Sequence, residues 1–516
     1  MDEHGDRVEV LAEDRVGIPH LTKSRYIAGL QCLRRLWLLV NQPPPYEPPE
    51  PGSPLDIGQQ IGLKAHLLFP GGVLIDEAPW AHAAAVARTI ALMADANTPA
   101  IFEAAFKHDG IRVRVDVLER LPDGSWGLRE VKSSTGPKDH HLDDIALQAH
   151  VVRGAGVTVS SIELVHVNNA YVRCLDGVEW RAYFVRVDVE AGVEARLAEI
   201  PSRLPAMREC LASGQAPFIE PGRQCSSPYG CEYWDQCTAG KPVDWIIRLP
   251  RLSEANATEL KALGVEAVSS IPAEFPLTAK QSVIREAIVS DRPYISDDLP
   301  RLLTAFGPPA CYLDFEAMAP PIPLYQGTRP YQTLPFQWSL HEIDGVGRLG
   351  HLEFLADGAG DPRREFAETL IAALRRSYSP IIVYSSYEKS RLRELAEVFP
   401  DLRSSLEAVI DRLADLLPVV RQSVYLPAFD FSFSIKTVGP ALCPDFGYDD
   451  LDGVADGLAA AGAFLQIASG AVVDADETAR LRRQLLAYCE RDTLAMVKAH
   501  AALLELAGQP TINLAP

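Results

Sequence analysis

The stretch IRVRVDVLERLPDGSWGLREVK, residues 111–132, decides how the first half of the chain is read. Ile111, Val113, Val115 and Val117 alternate with polar residues, a period of two that predicts a half-buried strand. PDGS at 122–125 supplies hairpin-turn chemistry, so Trp126–Lys132 is expected to return as the partner strand. Asp116 then lies on one strand, and Glu130 and Lys132, two apart, share a face of the other. Two carboxylates so placed can bind Mg²⁺ or Mn²⁺ through oxygen. Such an ion lowers the pKa of a bound water, and Lys132 can stabilise charge on a phosphate or orient that water. An Asp…Glu-x-Lys trio also occurs on ordinary solvated hairpins. Here Val113, Val115, Val117, Leu128 and Val131 set it in an otherwise apolar pair of strands.

Upstream of the hairpin, Thr22 can cap a helix beginning near Leu21–Arg25, and NQPPPYEPPEPGSP (41–54) must be an extended loop. A helix is expected from Asp56 to Leu68, another near 78–95, and a strand over IFEAAFKH. Downstream, a helix around 141–153 and the strand SIELVHVNN complete an α/β core. Cysteine is scarce, nine in 516 residues, yet Cys225, Cys231 and Cys237 fall together in CSSPYGCEYWDQC, with Cys32 far upstream. Thiolates at such spacing can hold a zinc ion or an iron–sulfur cluster and would staple the start of a domain to its end. The other cysteines, Cys174, Cys210, Cys311, Cys443 and Cys489, are scattered and are expected to be packed.

Composition bounds the function classes. The chain is long enough for two or three domains, and its balance of apolar and charged residues is that of a soluble globular protein. No apolar run can span a membrane, and the acidic start, expected as a loose arm over 1–19, lacks signal-peptide pattern. A cytoplasmic protein is expected, where clustered cysteines read as metal ligands and not disulfides. The net charge of −20 argues against a protein that coats nucleic acid by bulk charge. It leaves room for a local basic groove or metal ions that offset phosphate charge.

Residues 241–305 read as a helical linker, and ATELKALGVEAVSSIP has the form of one imperfect helix-hairpin-helix element. From Pro309 the pattern changes. ACYLDFEAM, LPFQWSLHEID and GHLEFLA predict three strands, DPRREFAETLIAALRRS a helix, PIIVYSS a buried strand and YEKSRLRELAEVF another helix. That is the element order of a ribonuclease H-like domain, expected over 306–510 and closed by a long helix near 476–506. Asp314 and Glu316 share a face of the first strand. Tyr488 and Asp492, four apart in the last helix, share a face as well.

GIRVRVDVLERL followed by LREVKSS resembles the PD-(D/E)XK nuclease core of the RecB and CRISPR-associated exonuclease type, over residues 20–240. The resemblance implies Asp116 and Glu130 as metal ligands, Lys132 as the catalytic lysine, His66 as a further metal ligand and Gln148 as a catalytic helix residue. It also implies that Cys32, Cys225, Cys231 and Cys237 hold a [4Fe–4S] cluster, with structural zinc as the alternative. Asp314-x-Glu316 with Tyr488-x-x-x-Asp492 resembles a DEDD exonuclease of the tyrosine subtype. That resemblance implies four carboxylates, Asp314, Glu316, Glu388 and Asp492, on Mg²⁺ or Mn²⁺, with Tyr488 positioning the attacking water. Glu388 stands where aspartate is usual and Ser385 where asparagine is usual; Asp415 is a backup ligand, and Lys436 can meet a phosphate.

As a whole the chain resembles an uncharacterised bacterial family that joins these two nuclease-like domains. The expected function is a metal-dependent nuclease acting on DNA, single-stranded or at ends. The alternatives are a nucleic-acid-binding scaffold with a degenerate second domain, or an RNA 3′ exonuclease. No phosphate-binding Walker lysine motif is present, so a helicase or a repair or defence factor would be a separate partner.

Overall fold

The computed structural model describes residues 20–510, so the arm expected over 1–19 lies outside the described residues. The protein is a mixed α/β chain in two compact units. The first extends to Gly240 and also takes in Pro321–Pro330; the second comprises Lys241–Pro320 and the chain from Tyr331 onward.

The first unit is built on a seven-stranded sheet. It begins with β1 (Leu21–Thr22), α1 (Lys23–Gln31), α2 (Leu33–Asn41), α3 (Pro54–Ala65), β2 (Val73–Leu74) and α4 (His82–Ala94). It continues through β3 (Ala100–His108), β4 (Ile111–Arg120), β5 (Trp126–Lys132), α5 (Asp139–Gly154), β6 (Val159–Val167) and β7 (Phe184–Asp188). The strand order is β2-β3-β4-β5-β6-β7, and β1 pairs in parallel with the start of β4. The quoted hairpin is thus β4–β5, antiparallel, with Val117 opposite Arg129.

Burial alternates along β4 as the sequence predicts: Val113, Val115 and Val117 are buried beside Leu118 and Leu128. Gly127 has no side chain because the Arg129 guanidinium fills that space. Arg129 is 2% exposed and is held by Glu119 at 2.8 Å and Glu163 at 3.1 Å. Residues 321–330 are tied into this unit by backbone bonds between Arg173 and residues 327–328 and by the Tyr183 hydroxyl, which donates to the Pro321 carbonyl (2.9 Å).

Two boundaries differ from the sequence reading. Leu21–Thr22 is strand, not helix, because it pairs with β4; Thr22 still caps α1, accepting from Arg25 N at 3.3 Å. The helix expected to Leu68 ends at Ala65 and tightens into a 3₁₀ turn, His66–Leu68.

The second unit opens with α6 (Glu254–Ala262) and α7 (Ala279–Ser290). No second helix follows the hairpin turn at Gly264 directly: only a 3₁₀ turn, Val268–Ser270, stands there, so the helix-hairpin-helix form is incomplete. Its main sheet contains β8 (Ala310–Met318), β9 (Leu334–Ile343), β10 (Leu349–Leu355), β11 (Ile381–Val383) and β12 (Leu413–Asp415), in the order β10-β9-β8-β11-β12. The first three strands are antiparallel, and β11 and β12 run parallel to β8. The strand at 413–415 and a preceding helix over Arg403–Ile410 were not anticipated from the sequence.

The period of two along β8 sorts its side chains. Cys311, Leu313 and Phe315 enter the core beneath α8 (Arg363–Leu374) and α9 (Tyr387–Val398). Tyr312, Asp314 and Glu316 take the opposite face, against the 32-residue α10 (Ala475–Leu506), where the Tyr312 hydroxyl meets His500 Nδ1 at 2.9 Å. Cys174 is exposed, contrary to expectation, while Cys210, Cys311 and Cys489 are buried.

Candidate active sites and cysteine pocket

In the first unit, β4, β5, α1 and α5 bring together three carboxylates and two lysines. Continuing the β4–β5 register sets Asp116 opposite Glu130. Glu130 is fully buried and accepts from Lys23 Nζ (3.0 Å), Lys132 Nζ (2.6 Å) and Gln148 Nε2 (2.7 Å). Lys132 also pairs with Asp144 at 2.6 Å, and Lys23 lies 3.7 Å from Asp144 and 3.9 Å from Asp116. The Val131 amide donates to Asp116 at 2.7 Å. Gln148 turns its amide nitrogen to the acids and leaves its Oε1 buried without a hydrogen-bond partner.

Charge compensation differs from acid to acid. Burial pushes Glu130 up, but the Lys132 and Lys23 ammoniums more than offset it, so the carboxyl sits well below its ordinary range. Asp116, buried and facing Glu130, is pushed up to about 7. Burial and then Glu130 raise Asp144 as well. Lys132 is raised: burial lowers it, but Glu130 and Asp144 outweigh that.

Of the residues expected here, Asp116, Glu130, Lys132 and Gln148 converge. His66 stacks flat on Phe102, with ring centres 3.8 Å apart and planes 6° from parallel, and burial lowers its pKa. Lys23 and Asp144 were missed. Asp144 precedes Gln148 by one helical turn, a spacing that the sequence does contain.

Cys32 separates α1 from α2 in extended backbone (φ −166°, ψ 121°). With Cys225, Cys231 and Cys237 it lines one small pocket, walled by Leu38, Tyr233 and Trp234. Protein bonds already join the two chain regions. Gln31 Nε2 donates to the Gln224 and Tyr229 carbonyls (2.6 and 2.8 Å), the Tyr233 hydroxyl to the Gln42 carbonyl (3.0 Å), and Arg35 pairs with Glu232 (2.8 Å).

In the second unit, Asp314 and Glu316 on β8 meet Asp492 and Tyr488 on α10 and Glu388 in the first turn of α9. Asp314, Glu316 and Cys489 offer ligand atoms within 4.8 Å of one another. Glu316, Glu388 and Asp492 are each at most 7% exposed. Burial, followed by Asp492, Glu316 and Glu388, holds the Asp314 carboxyl well above its ordinary range. Burial and Asp492 push Glu316 up to about 8, and burial pushes Glu388 up to about 7.

A cation beside Glu316 and Asp492 is Lys436, whose Nζ lies 4.6 Å from the Tyr488 ring centre and donates to the Ala455 carbonyl (2.9 Å). Tyr448 donates to Asp492 Oδ1 at 2.7 Å, and the Cys489 thiol lies 3.8 Å from Asp314 Oδ2. Neither Tyr448 nor Cys489 was foreseen as a neighbour of the acids. Asp415 caps the helix that follows β12, accepting from Leu417 N at 3.0 Å, and its charge also raises Glu388. A second trio of potential ligands, His341, His351 and Glu490, stands on β9, β10 and α10.

Comparison with protein-family models matches residues 311–434 to a domain of unknown function, DUF2779. The matched segment includes Asp314, Glu316 and Glu388 and ends before Tyr488 and Asp492. No curated protein matches the chain. Among the described residues no helix is long and apolar enough to cross a membrane.

Proposed function

We propose that the protein is a metal-dependent nuclease with two centres, a PD-(D/E)XK-like one in the first unit and a ribonuclease H-like, DEDD-type one in the second. The observation that carries the reading is the second carboxylate cluster. Asp314, Glu316, Glu388 and Asp492 repel one another in a buried site, and repulsion of that kind is relieved by divalent cations or by protons. The strand order β10-β9-β8-β11-β12 supports the ribonuclease H-like assignment, and the β4–β5 hairpin crossed by α5 supports the other.

The donor sets fit the ions. Asp314, Glu316, Glu388 and Asp492 would hold metal in the second centre, and Asp116 and Glu130 in the first, where the orphaned Gln148 Oε1 offers one more acceptor to a water. When bound, such ions supply an activated water and neutralise charge on the phosphate. The chain's own residues do the rest. Tyr488 can accept from and orient the attacking water through its hydroxyl, whose proton burial and the neighbouring acids hold firmly. Lys436, over the Tyr488 ring, places positive charge beside the scissile phosphate. In the first centre Lys132 can shift from Glu130 and Asp144 to a phosphate oxygen, while Lys23 keeps the remaining acids compensated.

Cys32, Cys225, Cys231 and Cys237 would hold a [4Fe–4S] cluster as a structural staple. Structural zinc on the same four thiolates is the alternative.

The test is cleavage of end-labelled single-stranded DNA and RNA with Mg²⁺ or Mn²⁺ by wild type, Lys132→Ala and Asp314→Ala. Each variant should lose one activity and keep the other. Undiminished cleavage in both, or none in wild type with any divalent ion, would overturn the proposal.

A further inference from the structure

A cleft of about 960 Å³ in the second unit has Asp314 and Glu388 in its wall. The rest of its lining is of opposite character: the cations Arg251, Lys280 and Arg421 and the rings of Tyr384, Phe431 and Phe433. A smaller cavity of about 340 Å³ shares Lys280, Arg421 and Phe433 with it and carries the surface on to Tyr294 and Tyr425. The Tyr384 hydroxyl is buried without a hydrogen-bond partner.

The three cations are exposed and gathered from separate parts of the chain. Lys280, near the start of α7, lies 4.0 Å from the Phe433 ring centre. Partial desolvation beside that ring, then the like charges of Arg421 and Arg251, pull its ammonium below its ordinary value. In a chain with a net charge of −20, three cations gathered in one cleft mark a place prepared for an anion. The rings beside them are held in place. Asp430 and Phe431 both adopt left-handed backbone (φ 47° and 65°), sparsely populated for residues other than glycine. Arg248 pins Asp430 through an ion pair at 2.5 Å, and Phe431 N donates to the Tyr425 hydroxyl (3.3 Å).

Cations beside aromatic rings suit an unpaired strand, whose phosphates can meet the charges and whose bases are free to stack; in a duplex the faces are already occupied. We propose that this cleft binds a single strand of nucleic acid, its phosphates on Arg251, Lys280 and Arg421 and its bases on Phe431 and Phe433, and leads it to the carboxylates Asp314 and Glu388. The proposal rests on reading that carboxylate cluster as a nuclease centre and adds the residues that would hold and guide its substrate.

The experiment compares full-length wild type with the double variant Lys280→Ala/Arg421→Ala on two substrates, in Mn²⁺. One is a single-stranded oligonucleotide of about ten residues, as DNA and as RNA, long enough to occupy a groove of this kind. The other is p-nitrophenyl thymidylate, which reaches the acids without needing the cleft. The variant should raise KM for the oligonucleotide roughly tenfold or more. It should also flatten the salt dependence of log KM by about 0.7 for each phosphate that is no longer neutralised, and it should leave turnover of the small ester within about twofold of wild type. The DNA and RNA arms report which sugar the cleft prefers.

An unchanged KM and salt slope would overturn the cleft assignment while leaving the nuclease reading intact. So would equal loss on both substrates, which signals damage at the centre. If wild type hydrolyses neither substrate in an Asp314-dependent way, the nuclease reading fails. The cleft is then judged by oligonucleotide anisotropy in Ca²⁺: an unchanged salt slope in the variant overturns it, and a flattened one sustains it as a binding groove.

Discussion

The two acidic centres solve the problem of buried charge in opposite ways. In the first, Glu130 is the hub of a network in which Lys23 and Lys132 face three carboxylates, so metal-free charge is nearly balanced by the protein itself. In the second, Lys436 offsets only Glu316 and Asp492; burial pushes all four carboxylates up, and repulsion from the other acids adds to it at Asp314 and Glu316. Removing one partner from a balanced buried network leaves an uncompensated charge and is costly. Removing one acid from a repelling cluster relieves strain. The same substitution, carboxylate to amide, should therefore have opposite effects on stability in the two units.

The largest effect tests that contrast. Glu130→Gln and Glu316→Gln should each cost several kcal/mol of transition-state stabilisation in their own centre, on the order of a thousandfold in rate. In EDTA at pH 9, Glu130→Gln should destabilise the first unit by roughly 3 kcal/mol. Glu316→Gln should stabilise the second by ~1–3 kcal/mol. Hydrogen exchange of peptides from β5 and β8 reads the two units separately. Destabilisation of similar size in both would break the comparison.

Next in size is Tyr488→Phe. If the hydroxyl orients water and binds no metal, turnover in the second centre should fall about a hundredfold, with the Mn²⁺ dependence unchanged. A matching loss of Mn²⁺ affinity would make Tyr488 part of the metal shell instead.

The pH dependence sharpens the contrast further. Glu316 (about 8) and Glu388 (about 7) lie above the ordinary carboxylate value, so the folded state binds protons that the unfolded chain releases. Their contribution to stability is fully present below about pH 4 and is lost as pH rises through 7 to 8 in EDTA. Glu130, held low, has the reverse sign: its contribution is present above about pH 4 and is lost as pH falls below that. Asp116 (about 7) runs with the second centre, so the first unit still weakens somewhat between pH 6 and 8. Exchange protection of β8 in EDTA should drop more than that of β5 across this window, and Mn²⁺ should remove the difference. Equal drops, or no effect of Mn²⁺, would count against four coupled acids in one site.

How much of this was legible in the chain depends on range. The β4–β5 hairpin, Asp116, Glu130 and Lys132 lie within one local pattern, and period-two alternation sets their faces. Asp314–Glu316 and Tyr488–Asp492 are likewise short spacings on a strand and a helix. Lys23 could not be read: it is 107 residues from Glu130 and arrives because a two-residue strand, β1, pairs with β4. Cys489 looked like packing and is buried, but the register of α10 on β8 also sets its thiol beside Asp314. His66 illustrates the converse, since helical position alone did not reveal its flat stack on Phe102. The cleft residues Arg251, Lys280, Arg421 and Phe433 come from four segments without a shared motif.

The smallest expected effect concerns Glu388. It occupies a position where a shorter acid is the usual residue in the family that the second half resembles, and that difference favoured a binding scaffold as the alternative. Its side chain is nevertheless buried at the cluster, 3% exposed, with the Ser385 hydroxyl donating to Oε2 at 3.4 Å. It also enters the electrostatics of Asp314 and Glu316. If Glu388 is a metal ligand, the proposed centre is reached from the first turn of α9 with one methylene more than aspartate would offer. Glu388→Asp should then retract the carboxylate, lower Mn²⁺ affinity about three- to tenfold and cost a similar factor in rate at limiting metal, recovered at saturation. Glu388→Gln should not be rescued by added metal. An inert wild-type centre that becomes active only as Glu388→Asp would show that the glutamate disables the site, and the second unit would then be a binding module beside one working nuclease.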